Sequence, residues 1–153
     1  MFYKSKSKID FRQKALSKMQ RLRVLEESSG GYGKCITCGK IYPIALLDGG
    51  HYISRSHKIT ELERDNINPQ CQCCNRFKNG DPIVYRKKLI EKIGEDRVAR
   101  LETLLNASKG SDKEFNELNR CDKRKIVAIK NYETEYRKLC KEYNNMKKIK
   151  GDI

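Results

Sequence analysis

The side chains best suited to chemistry in this sequence are concentrated between residues 35 and 78. Two C-x2-C pairs, Cys35/Cys38 and Cys71/Cys74, enclose a polar segment carrying Asp48, His51 and Asn66, and Asn75 follows the last cysteine directly. Four thiolates in two short turns form the donor set of a closed tetrahedral zinc site, since each turn presents two sulfurs from one loop. The spacing therefore predicts a structural Zn2+ on Cys35, Cys38, Cys71 and Cys74, with the insert between the pairs clamped at its base and built as a hairpin with a loop. Cys73 is out of register with its turn. Cys121 and Cys140 sit in helical sequence and read as small, buried apolar residues.

The insert has the residue types that phosphodiester hydrolysis needs: an activated water, a cation against the developing charge, and groups that hold both in line. A neutral imidazole suits the first task near pH 7, which makes His51 the candidate base. Mg2+ or Mn2+ takes oxygen donors and retains waters, so Asp48 and Asn75 are the candidate ligands of a catalytic metal. Asn66 is placed to hydrogen-bond the loop after His51 and keep the imidazole oriented. Arg55, Arg76 and Lys78 flank these residues as candidate phosphate contacts. Taken singly, each such residue is more often structural. Their concentration inside a metal-clamped insert favours chemistry. His57 fits none of these roles and reads as a loop residue.

Periodicity supplies the elements that must hold this set. From Asp10, an N-cap, Phe11, Ala15, Met19, Leu22 and Val24-Leu25 recur near every 3.6 residues, with Lys14, Lys18, Arg21 and Arg23 elsewhere on the wheel. This basic amphipathic helix ends at Ser28-Ser29-Gly30-Gly31, read as a linker. It is either an arm laid along a phosphate backbone or a packing helix with a solvated face. A short strand runs into His51, where Gly49 and Gly50 would let the backbone approach a substrate or turn sharply. Residues 54–65 form a loop, and a short helix beginning at Asn75 stops at Asn79-Gly80-Asp81-Pro82. Two helices follow over 82–106, then a capping box at Ser111-Asp112-Lys113-Glu114. A long last helix is capped by Asp122, and its stripe of Ile129, Tyr132, Tyr136, Leu139, Tyr143 and Met146 would close on the domain or on a second copy.

The expected organisation is α+β: a small zinc-stapled core over 31–80, a helical arm over 1–30, a helical extension over 81–110 and C-terminal helices over 111–153. With 37% hydrophobic against 35% charged residues and no Trp, the core must be modest, and a metal would supply the missing cross-link. The 34 basic and 20 acidic residues give +14, reduced by two to about +12 when four thiolates bind one dication. Such a surface attracts a polyanion, nucleic acid foremost, although charge alone leaves an anionic membrane open. There is no apolar run of membrane length and no signal-like stretch after Met1, so a cytoplasmic protein is expected.

The linked motifs C35-x-x-C38, D48-G-G-H-Y-x-S-R55, D65-N66, Q70-C-x-x-C-N-R-F77 and Y85-R-x-x-L-I-x-x-I-G94, running on through Arg97-Val98 and Leu101-Glu102, resemble the lambdoid phage NinG (Rap) recombination endonucleases. More broadly they resemble the HNH, or ββα-metal, nucleases. The resemblance implies a ββα-metal core within that α+β chain. It implies His51 as general base, Asn66 as the middle Asn, and Asn75 as a metal ligand at the last HNH position. It also implies nicking of branched DNA, such as Holliday junctions and D-loops, by a phage protein inside a bacterial host. Two departures stand out: Gly50 occupies the place where many HNH enzymes have Asp, and Asn75 replaces the final His. Paired cuts across a junction would call for a homodimer, with the tyrosine-bearing last helix as its surface. The competing readings are a non-catalytic zinc-stapled DNA-binding accessory protein and an HNH nickase of ordinary duplex.

Overall fold

The computed structural model describes residues 10–128 and 130–151. Helix α1 (Phe11–Glu26) starts where the Asp10 carboxylate accepts the Gln13 N–H at 3.1 Å, the expected cap. Its apolar face is buried along the whole length. Ala15, Met19 and Leu22 pack with Ile67 and with Leu139 of α6 (Tyr132–Lys150), flanked by Tyr132, Tyr136, Tyr143 and Met146. Of the two readings of the first helix, packing is the one observed. The same contact covers the tyrosine stripe of α6 within one chain, so that stripe does not offer the dimer surface proposed for it. The basic face of α1 is also partly committed: Arg23 pairs with Glu26 and Glu27 and donates to the Ile67 carbonyl at 2.9 Å, tying the helix to the strand beneath.

Ser28 to Gly31 is a tight hairpin rather than a linker. Strands β1 (Ser28–Ser29) and β2 (Tyr32–Lys34) pair Ser29 with Tyr32 across Gly30 and Gly31, both at positive φ, which suits the right-handed twist of the strands. β3 (Ile41–Pro43) completes a three-stranded antiparallel sheet, and the first cysteine pair lies in the turn between β2 and β3. A 3-10 turn at Ile44–Leu46 leads into the second sheet. Here β4 (Leu47–His51) and β5 (Ile67–Cys71) form an antiparallel hairpin, with Leu47 opposite Cys71 and His51 opposite Ile67. The insert between the two cysteine pairs thus has the hairpin-and-loop form expected of it.

A single π-helical turn, Cys73–Phe77, follows β5, and then come α2 (Pro82–Ile93) and α3 (Glu95–Ser108). These helices bury Tyr85, Leu89, Val98 and Leu101 against Ile53 of the insert loop. α4 (Asp112–Glu117) and α5 (Arg120–Val127) cover the far side of α3 through Leu104, Ala107 and Leu118. The long last helix expected from Asp122 is instead two, capped by Asn119 and Asn131. Asp122 is buried in the first turn of α5 and accepts from Arg100 Nε and Nη2 at 2.7 and 2.6 Å, so its charge is used in tertiary pairing. Ile129 lies outside the described residues. Ser111 occupies the cap of α4 without a side-chain bond. Cys121 is exposed and Cys140 only half-buried, against the expectation that both are core.

Candidate functional site

The sulfurs of Cys35, Cys38, Cys71 and Cys74 lie within 4.8 Å of one another. Tetrahedral Zn–S bonds of ~2.3 Å put sulfurs about 3.8 Å apart, and Cys38 and Cys71 stand 3.9 Å apart. The four residues therefore fit a zinc ion. In the second knuckle the Cys74 N–H points at Cys71 Sγ at 3.5 Å. The Ile36 N–H donates to the Pro69 carbonyl at 2.9 Å, joining the first knuckle to the base of the β4–β5 hairpin.

At the other end of that hairpin, His51 is half-buried and its Nε2 lies 2.9 Å from the Glu61 carbonyl oxygen. A carbonyl only accepts, so Nε2 carries the proton and Nδ1 is left with its lone pair. Burial pushes the imidazole pKa below its ordinary 6.5, the Glu61 carbonyl partly offsets this, and the Arg55 charge lowers it again. The ring is therefore neutral at pH 7. Asn66, fully buried, holds the loop that carries these contacts. Its Oδ1 accepts the Ile53 N–H at 2.7 Å, and its Nδ2 donates to the Ile53 and Thr60 carbonyls at 2.9 Å each.

Glu61 was not anticipated from sequence, where it is one acidic residue in a polar loop. Its carboxylate is completely buried, accepting from Arg12 of α1 at 2.5 Å and from the Tyr132 hydroxyl of α6 at 2.5 Å. The residue that fixes the His51 tautomer is thus itself anchored to both terminal helices.

Asp48, Asn75 and His51 line the same cleft. Asn75 Nδ2 donates to Asp48 Oδ2 at 3.0 Å, and Arg76 binds both Asp48 oxygens at 2.9 and 2.8 Å. Burial raises the Asp48 pKa, but Arg76 and Asn75 outweigh it and hold the carboxyl below its usual range. A carboxylate offers about four lone-pair sites, and three are engaged here. Together with the Asn75 amide oxygen, one free site leaves a sparse oxygen set of the sort that Mg2+ or Mn2+ completes with water and phosphate. Gly49 and Gly50 are required by packing, and Gly49 also lines the cleft. A Cβ on Gly49 would stand 2.6 Å from Gln20 Cα of α1, and one on Gly50 would overlap the Gln70 side chain.

The cleft, about 1070 Å³ in volume, extends from this cluster across α1 to the end of α6. Arg55 and Arg76 line it, whereas Lys78 is exposed outside it. Arg21 and Lys147 also line it, with Ser17 and Gln20 between. Arg21 was visible in the sequence as part of a basic helical face; Lys147 carried no signal, because only the α1–α6 packing brings it to the site. His57 is half-buried and serves as a turn residue, its carbonyl accepting from Thr60 and Glu61.

A family model described as "Bacteriophage Lambda NinG protein" matches residues 3–145 of the chain. Protein ninG of Escherichia phage lambda is 31% identical over 103 residues, which is 66% of this chain and 50% of that protein. Protein ninG of Escherichia phage 933W is 29% identical over 102 residues with the same coverage. Protein ninG of Salmonella phage P22 is 37% identical over 70 residues, 45% of this chain and 34% of that one. The chain spans about half the length of the curated relatives it matches most extensively. No solved structure matches it.

Proposed function

Because the chain belongs to the NinG family of lambdoid phages, we propose that it is a metal-dependent endonuclease of the HNH kind that nicks branched DNA, such as Holliday junctions and D-loops, during phage recombination. The observation that carries this reading is the fixed tautomer of His51. With Nε2–H held by the Glu61 carbonyl, Nδ1 is the basic nitrogen, and its ring shares one cleft with Asp48 and Asn75. The two antiparallel strands β4 and β5 followed by a helical turn at Asn75 support a ββα-metal assignment for the core.

In this mechanism His51 Nδ1 takes a proton from the attacking water, a general-base contribution of about 10²–10⁴-fold. Asp48 and Asn75 would hold Mg2+ or Mn2+, which when bound supplies positive charge against the phosphate and the leaving oxygen. Arg76, paired with Asp48 in this structure, can transfer its guanidinium to a phosphate oxygen, and Arg55 faces the same cleft. Asn66 orients, through the loop it ties together, and touches no reacting atom.

The decisive comparison is nicking of a four-way junction against a matched linear duplex, with magnesium present and absent, for wild type and His51→Ala. His51→Ala is expected to reduce nicking by about 10²–10⁴-fold while zinc content and DNA affinity stay near wild type. Equal nicking by the variant would eliminate His51 as the base, and equal cutting of both substrates would favour a duplex nickase. One observation favours a non-catalytic accessory protein: Asn75 and Arg76 together engage most of the Asp48 carboxylate. That reading predicts no nicking of any substrate with either metal.

A further inference from the structure

We propose that Phe77 is a stacking wedge for an unpaired or unstacked nucleobase at a DNA branch point. The proposal rests on the nucleic-acid part of the reading above and not on the cutting. Segment 75–82 forms one rim of the cleft: Asn75, Arg76, Asn79, Gly80 and Pro82 line it, whereas Phe77 and Ile83 do not. Phe77 is 82% and Ile83 84% exposed, so the rim carries two bare apolar side chains on its outer edge. An aromatic ring this open gains nothing for the fold.

The rim is also held stiffly. Asn79 and Asp81 adopt φ of 50° and 46°, the left-handed region that non-glycine residues avoid, with Gly80 between them at 80°. The Lys78 and Gly80 N–H groups donate to the Cys73 and Cys74 carbonyls at 3.2 and 3.0 Å, and Gln70 Nε2 holds the Gly80 carbonyl at 2.8 Å. The backbone that carries Phe77 is thus tied to the cysteine cluster, at the end of the Cys73–Phe77 turn and just before the positive-φ residues.

Charge selects the partner. Phe77 lies between exposed Arg76 and Lys78 on a chain of net charge +14, so a second copy is repelled and a polyanion attracted. An exposed apolar ring next in sequence to Lys78 and to Arg76, whose guanidinium is held on Asp48 until a phosphate competes for it, suits a nucleobase flanked by its own phosphates. Apolar wedges of this kind insert at unstacked base steps. A branch point supplies such a step, and an intact duplex does not.

The chain contains no Trp, so Phe77→Trp in the full, zinc-loaded protein introduces a single indole at the rim. With magnesium omitted, its emission is expected to change at least twofold more on titration with a four-way junction than with a linear duplex of the same sequence. Phe77→Ala is expected to lose about tenfold in junction affinity, with duplex affinity and salt dependence unchanged, while Phe77→Trp retains wild-type binding. Equal emission changes on both DNAs would overturn the wedge, as would equal weakening on both by Phe77→Ala. A wild-type dimer dissolved by Phe77→Ala in sedimentation would also overturn it, by making the rim a protein interface. If the wild-type chain nicks nothing while the Phe77→Trp chain still gives the junction-specific signal, the wedge is supported and the nuclease reading is removed.

Discussion

Burial makes the imidazolium form of His51 costly, and the linkage has a definite sign. Because the folded pKa lies below the ordinary 6.5, His51 contributes its full share of stability above that value and loses it as pH falls toward the folded pKa. The same depression favours the neutral imidazole that the proposed general-base role requires. The acid limb of the nicking pH–rate profile should therefore have its midpoint below 6.5, and Arg55→Ala, which removes a neighbouring positive charge, should move that midpoint upward; a midpoint indifferent to Arg55 would contradict the assignment. Asn66 makes its own prediction. Asn66→Ala strands the Ile53 N–H, the Ile53 carbonyl and the Thr60 carbonyl in the interior, a loss of about 3 kcal/mol at roughly 1 kcal/mol per bond. Urea unfolding would read this directly.

Among the elements, the insert loop matters through what it is tied to. Glu61 joins the His51 loop to α1 by Arg12 and to α6 by Tyr132, so the two terminal helices share control of one imidazole. Tyr132→Phe should cost about 1.5–3 kcal/mol, the range for a hydrogen bond to a charged group, and its effect should shrink in a Glu61→Gln background, where the acceptor is a neutral amide oxygen. A double-mutant cycle by denaturation measures this coupling, and additive losses would show that the hydroxyl acts elsewhere. The C-terminal helices show where periodicity misleads. Asp122 looks like a cap because it precedes an apolar series, yet Asn119 makes the capping bond at 2.9 Å and Asp122 is drawn inward by Arg100. An arginine partner some twenty residues away in the chain leaves no local trace.

For the molecule as a whole, the apolar residues fall into several small clusters rather than one large core. One of them, formed by Val24, Leu47, Cys35, Cys71 and Cys74, is built partly on the cysteines of the candidate zinc site. Removing zinc should therefore unfold more than a loop. Structural zinc contributes an apparent ~10–16 kcal/mol in small metal domains, so a strong chelator should abolish the cooperative thermal transition of the β4–β5 region, and Cys35→Ser should do the same without a chelator. Retention of the native near-UV signal in the zinc-free chain would show that packing alone suffices. No helix among the described residues is long and apolar enough to cross a membrane.

What the sequence determined by itself is the set of local, short-range decisions. The cysteine spacing defines two turns whose four sulfurs can share a metal, Asp10 caps α1, the apolar periods mark α1 to α3, and the motif order places His51, Asn66 and Asn75 around one hairpin. These are legible because their causes act within a few residues. Tertiary structure alone decided that Glu61 orients His51, that Gly49 serves α1, that the tyrosines of α6 face inward, and that Arg21 and Lys147 reach the same cleft. Each of those depends on which surfaces meet when charged and apolar groups from distant parts of the chain are desolvated together, and no window of local sequence contains that information.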